Sequence, residues 1–148
     1  MRTQGTVRAR AKKAFTGLYD VNACITVCIE CADACTTCAD ACLNEAKVQK
    51  LARCIWSDID CADICHTTAR ILARQTEISP ELLRAQLETT IAATSICAQE
   101  CEKLFDLHPC CRTCARICRN CEQICRQMLA NMPCEENFPT FEQEAYQN

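Results

Sequence analysis

Residues that form tight turns are scarce in this sequence, which has only two glycines and four prolines among its 148 residues. Their shortage argues against hairpin-rich β folds and favours long helices joined by few loops. The formal net charge is -3 and both signs are mixed along the chain, so no basic face of the kind that binds nucleic acid is predicted. No apolar run approaches 18 residues, so no membrane-spanning segment is predicted either.

A secretory leader is also missing from the sequence as written. The segment at residues 1–17, MRTQGTVRARAKKAFTG, carries positive charge but has neither an apolar core nor a twin-arginine pair. The chain is therefore predicted to be cytoplasmic, where thiols are kept reduced.

Cysteine, by contrast, is abundant, with 18 residues in the chain. Six of them fall in the segment ACITVCIECADACTTCADAC, residues 23–42, at alternating gaps of four and three. At 3.6 residues per turn this spacing puts all six thiols on one face of a helix. The inward stripe of this helix is made of sulfur where a bundle usually has leucine.

Four helices are predicted, over about 18–44, 47–76, 80–107 and 109–132. Ser79 and Pro80 have the residue types of a helix N-cap and first turn. Helices of similar length with short links predict an all-α fold, an antiparallel four-helix bundle with an N-terminal arm or short extra helix. The predicted divisions are a basic arm (1–16), the bundle (17–132) and an acidic tail (133–148).

The predicted inner stripes of the four helices converge on one interior. Their members are Cys24, Cys28, Cys31, Cys35, Cys38 and Cys42 on the first; Cys54, Asp58, Cys61, Cys65, Thr68 and Leu72 on the second; Leu83, Leu87, Thr90, Thr94, Cys97, Cys101, Leu104 and His108 on the third; and Cys110, Cys111, Cys114, Cys118, Cys121, Cys125, Met128 and Met132 on the fourth.

Several roles for such thiols have to be compared. Buried cysteines can fill space, but alanine, valine or leucine would pack as well without the risk of oxidation. Neighbours on one helix face are about 5–6 Å apart at Cβ, whereas disulfides need about 3.8 Å, so a disulfide-stapled bundle is not favoured. A reactive enzyme thiol needs an electropositive, partly exposed setting, and no enzyme is predicted.

A metal role fits the pattern better. Zinc and iron–sulfur ligands usually lie on loops, and here the CxxC units lie within helices, although zinc or iron–sulfur binding stays an alternative. Soft thiolates with few imidazoles favour Cu(I). One Cu(I) entering for each proton lost keeps the interior neutral, which predicts roughly one ion per cysteine, or about 17–19 per chain.

The two ends of the predicted stripe differ. Ions are expected to enter at the end with His108, and apolar residues are expected to plug the other end. The residues of the first end are Cys42, Cys54, Cys101, His108, Cys110 and Cys111; those of the second are Val21, Leu72, Leu83, Leu87, Met128 and Met132.

A few further residues have individual predictions. Asp58 lies on the stripe and needs a partner, so it either hydrogen-bonds thiols or binds an ion weakly. His66 and Trp56 are predicted to point away from the stripe, and Cys134 is left out of the core. Met128 and Met132 are predicted to serve in packing.

The inward CxxxCxxCxxxCxxC stripes over residues 18–131 resemble those of the bacterial copper storage proteins, in the branch without an export signal. The resemblance implies a non-catalytic cytosolic store that holds many Cu(I) ions, and bundles that associate as tetramers. It also implies a set of ligands: Cys24, Cys28, Cys31, Cys35, Cys38, Cys42, Cys54, Cys61, Cys65, Cys97, Cys101, His108, Cys110, Cys111, Cys114, Cys118, Cys121 and Cys125.

Overall fold

The computed structural model describes residues 21–74 and 78–133. The predicted N-terminal arm, the start of the first helix before residue 21, most of the acidic tail and Cys134 lie outside these residues. The same holds for residues 75–76, where the second helix was predicted to end.

Four α-helices make up most of the described chain, as the sequence predicts. They are α1 (Val21–Leu43), α2 (Ala52–Ala73), α3 (Pro80–Glu102) and α4 (Pro109–Ala130). A short 3-10 helix, Val48–Leu51, leads into α2, at residues where the sequence predicts the start of the α-helix itself. At the start of α3, the Ser79 side chain accepts a hydrogen bond from the Leu82 backbone N–H at 3.2 Å, which confirms the predicted cap.

The third helix ends at Glu102, five residues earlier than predicted. Pro109 disfavours helical geometry at the preceding residue, and His108 has extended torsion angles, φ -138° and ψ 113°. Residues 103–107 form turns that connect α3 to α4. The Arg112 guanidinium on α4 lies 5.8 Å from the centre of the ring of Phe105 in this connection. The prediction that His108 continues the α3 stripe is therefore wrong, because His108 is the N-cap residue of α4.

Each helix packs against two neighbours: α1 and α3 both contact α2 and α4. Cys24 lies beside Cys125 and Cys38 beside Cys111, so α1 and α4 run in opposite directions. The apolar end is as predicted, since Leu72, Leu83 and Leu87 are fully buried. This arrangement is an antiparallel four-helix bundle whose interior changes from leucine to cysteine along its length.

Helix α1 is long and apolar enough to cross a membrane by length and composition, and it is the one helix in the described ranges that passes this test. No long apolar run marks this helix in the sequence, because the stretch is apolar mainly through its cysteines and alanines. Within the bundle its cysteine face is buried in the core.

Candidate metal centre

The interior of the bundle is lined by free thiols. All 17 cysteines in the described ranges are unpaired, and 16 of them are buried while Cys110 is half-buried. The heptad spacing places them inward because residues three and four apart share one face of a helix. All the cysteines that the sequence analysis named as ligands thus face the interior or its rim.

Near the apolar end, the closest sulfur contacts join α1 and α4. The Sγ atoms of Cys24 and Cys125 are 3.9 Å apart, as are those of Cys28 and Cys121. Cys65 of α2 also interacts with Cys28 and Cys121, so three helices supply thiols at the level of that pair.

One turn farther along, Cys61 of α2 takes part in the sulfur lining. The Cys31 Sγ lies 3.8 Å from that of Cys61 on α2 and 3.7 Å from that of Cys118 on α4. Cys65 continues the α2 contribution, with its Sγ 4.0 Å from that of Cys61.

Cys35 occupies the centre of the lining. Its Sγ lies 3.8 Å from Cys97, 3.6 Å from Cys118 and 3.7 Å from Cys114. A single sulfur therefore contacts thiols of both α3 and α4, as a ligand that bridges two ions would have to do.

The end that carries the α1–α2 and α3–α4 connections, here called the mouth, is also dense in sulfur. Cys54 and Cys101 are 3.5 Å apart at Sγ, the shortest sulfur pair in the described part of the chain. The Cys111 Sγ lies 3.8 Å from Cys38 and 3.9 Å from both Cys42 and Cys54.

Neighbouring sets of thiols share members, so the lining is continuous. Within several sets of four, every ligand atom lies within 4.8 Å of the others, and Cys35 and Cys118 belong to two such sets. The sets include Cys31, Cys35, Cys61 and Cys118; Cys35, Cys97, Cys114 and Cys118; Cys38, Cys54, Cys101 and Cys111; and Cys38, Cys42, Cys110 and Cys111. A soft cation bound in one of these sets would therefore share a ligand sulfur with the neighbouring set.

Most of the thiols have a raised pKa and are held in their neutral form, whereas hydrogen bonds from neighbouring thiols lower the pKa of Cys28, Cys31, Cys97 and Cys111. Burial raises the pKa of Cys42 and of Cys110, and nearby Cys111 raises both further. A hydrogen bond with Cys125, together with burial, raises the pKa of Cys24. Neutral thiols pack as small apolar groups, so this interior can stay closed until a cation replaces the protons.

Asp58 is the one carboxylate at the centre of the thiol lining in the described ranges, and it is fully buried. Its Oδ1 atom accepts hydrogen bonds from Cys97 at 3.0 Å and Cys114 at 3.3 Å, and Cys101 lies 3.8 Å away. Burial, reinforced by Cys97, raises its pKa to about 8.

The predicted hydrogen bonds between Asp58 and thiols are therefore present. Asp58 also forms a potential four-ligand set with Cys38, Cys101 and Cys114. Asp58 is not among the ligands predicted from the sequence, although its position on the stripe between Cys54 and Cys61 is a signal for it.

His108 lies beside an acidic residue, whereas the sequence suggested that it continues the thiol stripe. Its Nδ1 lies 3.5 Å from the Glu45 carboxylate in the α1–α2 connection, and its side chain is 17% exposed. It therefore lies at the mouth and joins the two connections there, two residues before Cys110.

The remaining predicted positions agree with the structure. His66 is exposed, and Trp56 points outward with 72% of its surface exposed. Met128 is buried in the core, and Met132 packs against it.

The four helices lie in a region that matches a known protein family. The family model described as copper storage protein matches residues 19–130, which cover all four helices. The chain belongs to the copper storage protein family. A search among curated proteins finds no match.

Solved structures of copper storage proteins from Streptomyces lividans are similar to this chain. The protein Ccsp loaded with 10 copper equivalents is 44% identical, with a TM-score of 0.73, over 74% of this chain and 83% of that one. A cytosolic copper storage protein with five coppers is 40% identical, with a TM-score of 0.76, over 84% and 99%. A mutant of Ccsp in which one histidine is replaced by alanine is 42% identical, with a TM-score of 0.75, over 76% and 94%.

Proposed function

We propose that this protein stores many Cu(I) ions on the thiolates of its interior, without catalysis, in the cytoplasm. The observation that carries the proposal is the continuity of the lining, in which buried sulfurs such as Cys35 belong to more than one potential site. The proposed ligands are the 17 inward cysteines of the family pattern, with His108 at the mouth. The likeness to a cytosolic copper storage protein supports the location.

Charge balance favours a univalent ion over zinc. No lysine or arginine is buried among the described residues, so nothing there would neutralise a surplus of thiolates. A zinc ion with four thiolates leaves a charge of -2, whereas one Cu(I) per displaced proton leaves none. Buried uncompensated charge costs several kcal/mol, so the interior suits one Cu(I) per thiol.

An anaerobic titration of the reduced protein with Cu(I), in competition with a chromophoric chelator, tests this function. We expect binding to continue to about 17 equivalents, with about one proton released per ion because the thiols begin protonated. A parallel titration with Zn²⁺ should stop near four to five ions, the number that four-thiolate sites allow. Saturation by Cu(I) after a handful of equivalents would contradict the proposal.

We propose that ions enter at the mouth, because Cys110 is the only described thiol that is not fully buried and His108, two residues earlier in the sequence, is also partly exposed there. In stopped-flow loading experiments, Cys110→Ala and His108→Ala should slow the first binding phase. His66→Ala, at an exposed histidine on α2, is the matched control and should load at the normal rate. Unchanged kinetics in both mouth variants would exclude this route.

Tetramer formation is proposed from the family resemblance, and a groove between α2 and α3 is the surface we assign to it. The groove has a volume of about 610 Å³ and is flanked by Trp56 and Ile96, whose surfaces are 72% and 54% exposed. Contiguous exposed apolar surface of this kind often marks an interface.

The charges beside the groove suit a second copy of the same chain. Arg53 and Asp63 lie on the exposed face of α2, at equal distances in sequence on either side of residue 58. Two α2 helices that cross antiparallel about a two-fold axis would pair Arg53 of each copy with Asp63 of the other. Two such dimers would make the tetramer.

A charge-exchange series measured by sedimentation velocity tests this interface. Asp63→Arg should dissociate the assembly by placing like charges together, and the double variant Arg53→Asp/Asp63→Arg should restore it. Trp56→Ala should weaken association as well. An assembly that is unchanged in Asp63→Arg would show that another surface is used.

We further propose, from composition, that residues 1–16 and 133–148 flank the bundle as a basic arm and an acidic tail. Limited proteolysis with mass spectrometry tests this division, and the protected fragment should begin near residue 17 and end near 132.

A further inference from the structure

Three threonines stand where the inner stripes of α2 and α3 would otherwise continue with cysteine. Thr68 follows Cys65 by three residues on α2, and Thr94 and Thr90 precede Cys97 on α3 by three and seven. All three threonines are fully buried. The stripe therefore changes from thiol to hydroxyl before it reaches the leucines.

Two of these hydroxyls form a closed hydrogen-bond network between α2 and α3. The Oγ1 atoms of Thr68 and Thr90 are 2.7 Å apart, and the Gln86 side chain donates to Thr68 Oγ1 at 2.9 Å. Backbone carbonyl oxygens lie 2.8 Å from each hydroxyl, at Ile64 and at Gln86. Because each hydroxyl has one proton, one threonine donates to the other, which in turn donates to its own helix.

The sulfur contacts fix the height of the threonines in the bundle. Cys97 lies level with Cys35, with 3.8 Å between their sulfurs. One turn toward the N-terminus of α3 rises about 5.4 Å, which brings Thr94 to the level of Cys31. The next turn brings Thr90 to the level of Cys28.

The lining is therefore asymmetric around its circumference. Near the mouth all four helices supply thiols, as the contacts among Cys38, Cys54, Cys101 and Cys111 show. At the level of Thr94 the α3 side is a hydroxyl, and beyond it the thiols come from α1, α4 and, as far as Cys65, from α2, up to the pair Cys24 and Cys125.

We propose that Thr68, Thr90 and Thr94 set the inner limit of the copper array on the α2–α3 side, and so fix how many ions the bundle holds. The inference rests on the proposed storage of Cu(I). A threonine oxygen is a hard donor that keeps its proton, so it supplies neither the soft ligand nor the negative charge that a cuprous ion needs. The network joining Thr68 and Thr90 also closes the interior to further ligands.

The sharpest test adds thiols at these positions. Thr94→Cys changes the structure least, because the Thr94 hydroxyl bonds to backbone carbonyls of its own helix, at Thr90 and Ile91. In an anaerobic Cu(I) titration we expect Thr94→Cys, and then Thr90→Cys/Thr94→Cys, to bind about one additional ion per added thiol.

Two controls separate the added ligand from other effects. Leu72→Cys places a thiol one turn beyond Thr68, away from the sulfur lining, and should add no ion. Thr94→Val loses the hydroxyl without gaining a thiol, so its capacity should equal that of the parent protein. Circular dichroism of each metal-free variant shows whether the bundle is folded.

The outcomes distinguish this inference from the storage function itself. If the parent protein takes up about one ion per cysteine but folded Thr94→Cys takes up no more, the threonines do not limit the array and the inference is overturned. If the parent protein saturates after a handful of ions, the storage proposal fails first.

Discussion

The two ends of the bundle are built from different chemistry, and the difference separates stability from capacity. At the mouth, Cys54, Cys101 and Cys111 present small soft atoms 3.5–3.9 Å apart. At the other end, Leu72, Leu83 and Leu87 bury large apolar side chains. Since each leucine removes more apolar area from water than a thiol does, the leucine end should hold the metal-free fold together while the thiol end binds ions.

The largest expected effect is at the leucine end. Leu87→Ala should lower the free energy of unfolding of the metal-free protein by about 2–5 kcal/mol, because it leaves a cavity in a packed core. Its copper capacity should not change. Urea denaturation and Cu(I) titration measure the two quantities.

Leu82 offers a matched control on the same helix, because 54% of its surface is exposed. Leu82→Ala should change stability by no more than about 0.5 kcal/mol. Equal losses in the two variants would remove the distinction between the ends.

The next largest expected effect is on the pH dependence of stability, and it comes from the buried carboxyl group of Asp58. The pKa of Asp58 is raised to about 8 in the folded protein, against about 3.9 for an unperturbed aspartic acid. Between these values the folded state holds a proton that the unfolded state has lost, so stability must fall as pH rises. The slope from this group approaches about 1.4 kcal/mol per pH unit.

Asp58→Asn removes this titration, and the free energy of unfolding should therefore decline less steeply as pH rises. Urea denaturation of the metal-free protein at pH 5.0, 6.0 and 7.0 gives the comparison. Since other groups titrate alike in both proteins, the difference between their slopes isolates Asp58. Parallel pH profiles would mean that Asp58 is ionised in the fold.

A smaller effect is expected at the cap of α3, next to the leucine end. Ser79→Ala removes the acceptor for the Leu82 N–H and should cost about 1 kcal/mol of stability. Ser79→Asp keeps an acceptor and should stay close to the parent protein in thermal unfolding followed by circular dichroism. Copper capacity should be the same in all three proteins, and a loss of ions in Ser79→Ala would link the cap to the thiols.

The smallest expected effect is the loss of single copper ions when one cysteine of the thiol lining is replaced. Cys35 contacts sulfurs of three other cysteines, whereas Cys24 has its sulfur contact with Cys125. Cys35→Ser should therefore lose about one to two ions and Cys24→Ser at most about one. Mass spectrometry under non-denaturing conditions resolves single ions, and a greater loss at Cys24 would reverse the order of importance along the bundle.

Much of this arrangement follows from spacing in the sequence. The gaps of three and four fix which side chains share a face, so the inward thiols, the leucine end and the outward Trp56 were all predictable. The contact between His108 and Glu45 was not, because it joins two connections that are far apart in sequence. The early end of α3 was not predicted, because the heptad from Cys101 to His108 indicates a helix that continues up to Pro109, whereas α3 ends at Glu102.

Asp58 illustrates a second limit of the sequence. Its position on the stripe was evident, but its hydrogen bonds come from thiols on α3 and α4. Which of several inward cysteines would reach one carboxylate oxygen depends on the relative heights of the helices, and no local pattern specifies those heights.

The repeat of seven residues has a consequence for how such a container can change in size. Each additional heptad lengthens a helix by about 10.5 Å and adds two more inward positions, while the cross-section and the opening stay the same. The volume of the interior therefore grows in proportion to the length of the helices, while the width of the mouth stays constant. A longer descendant of this bundle would hold more but would take correspondingly longer to fill and to empty.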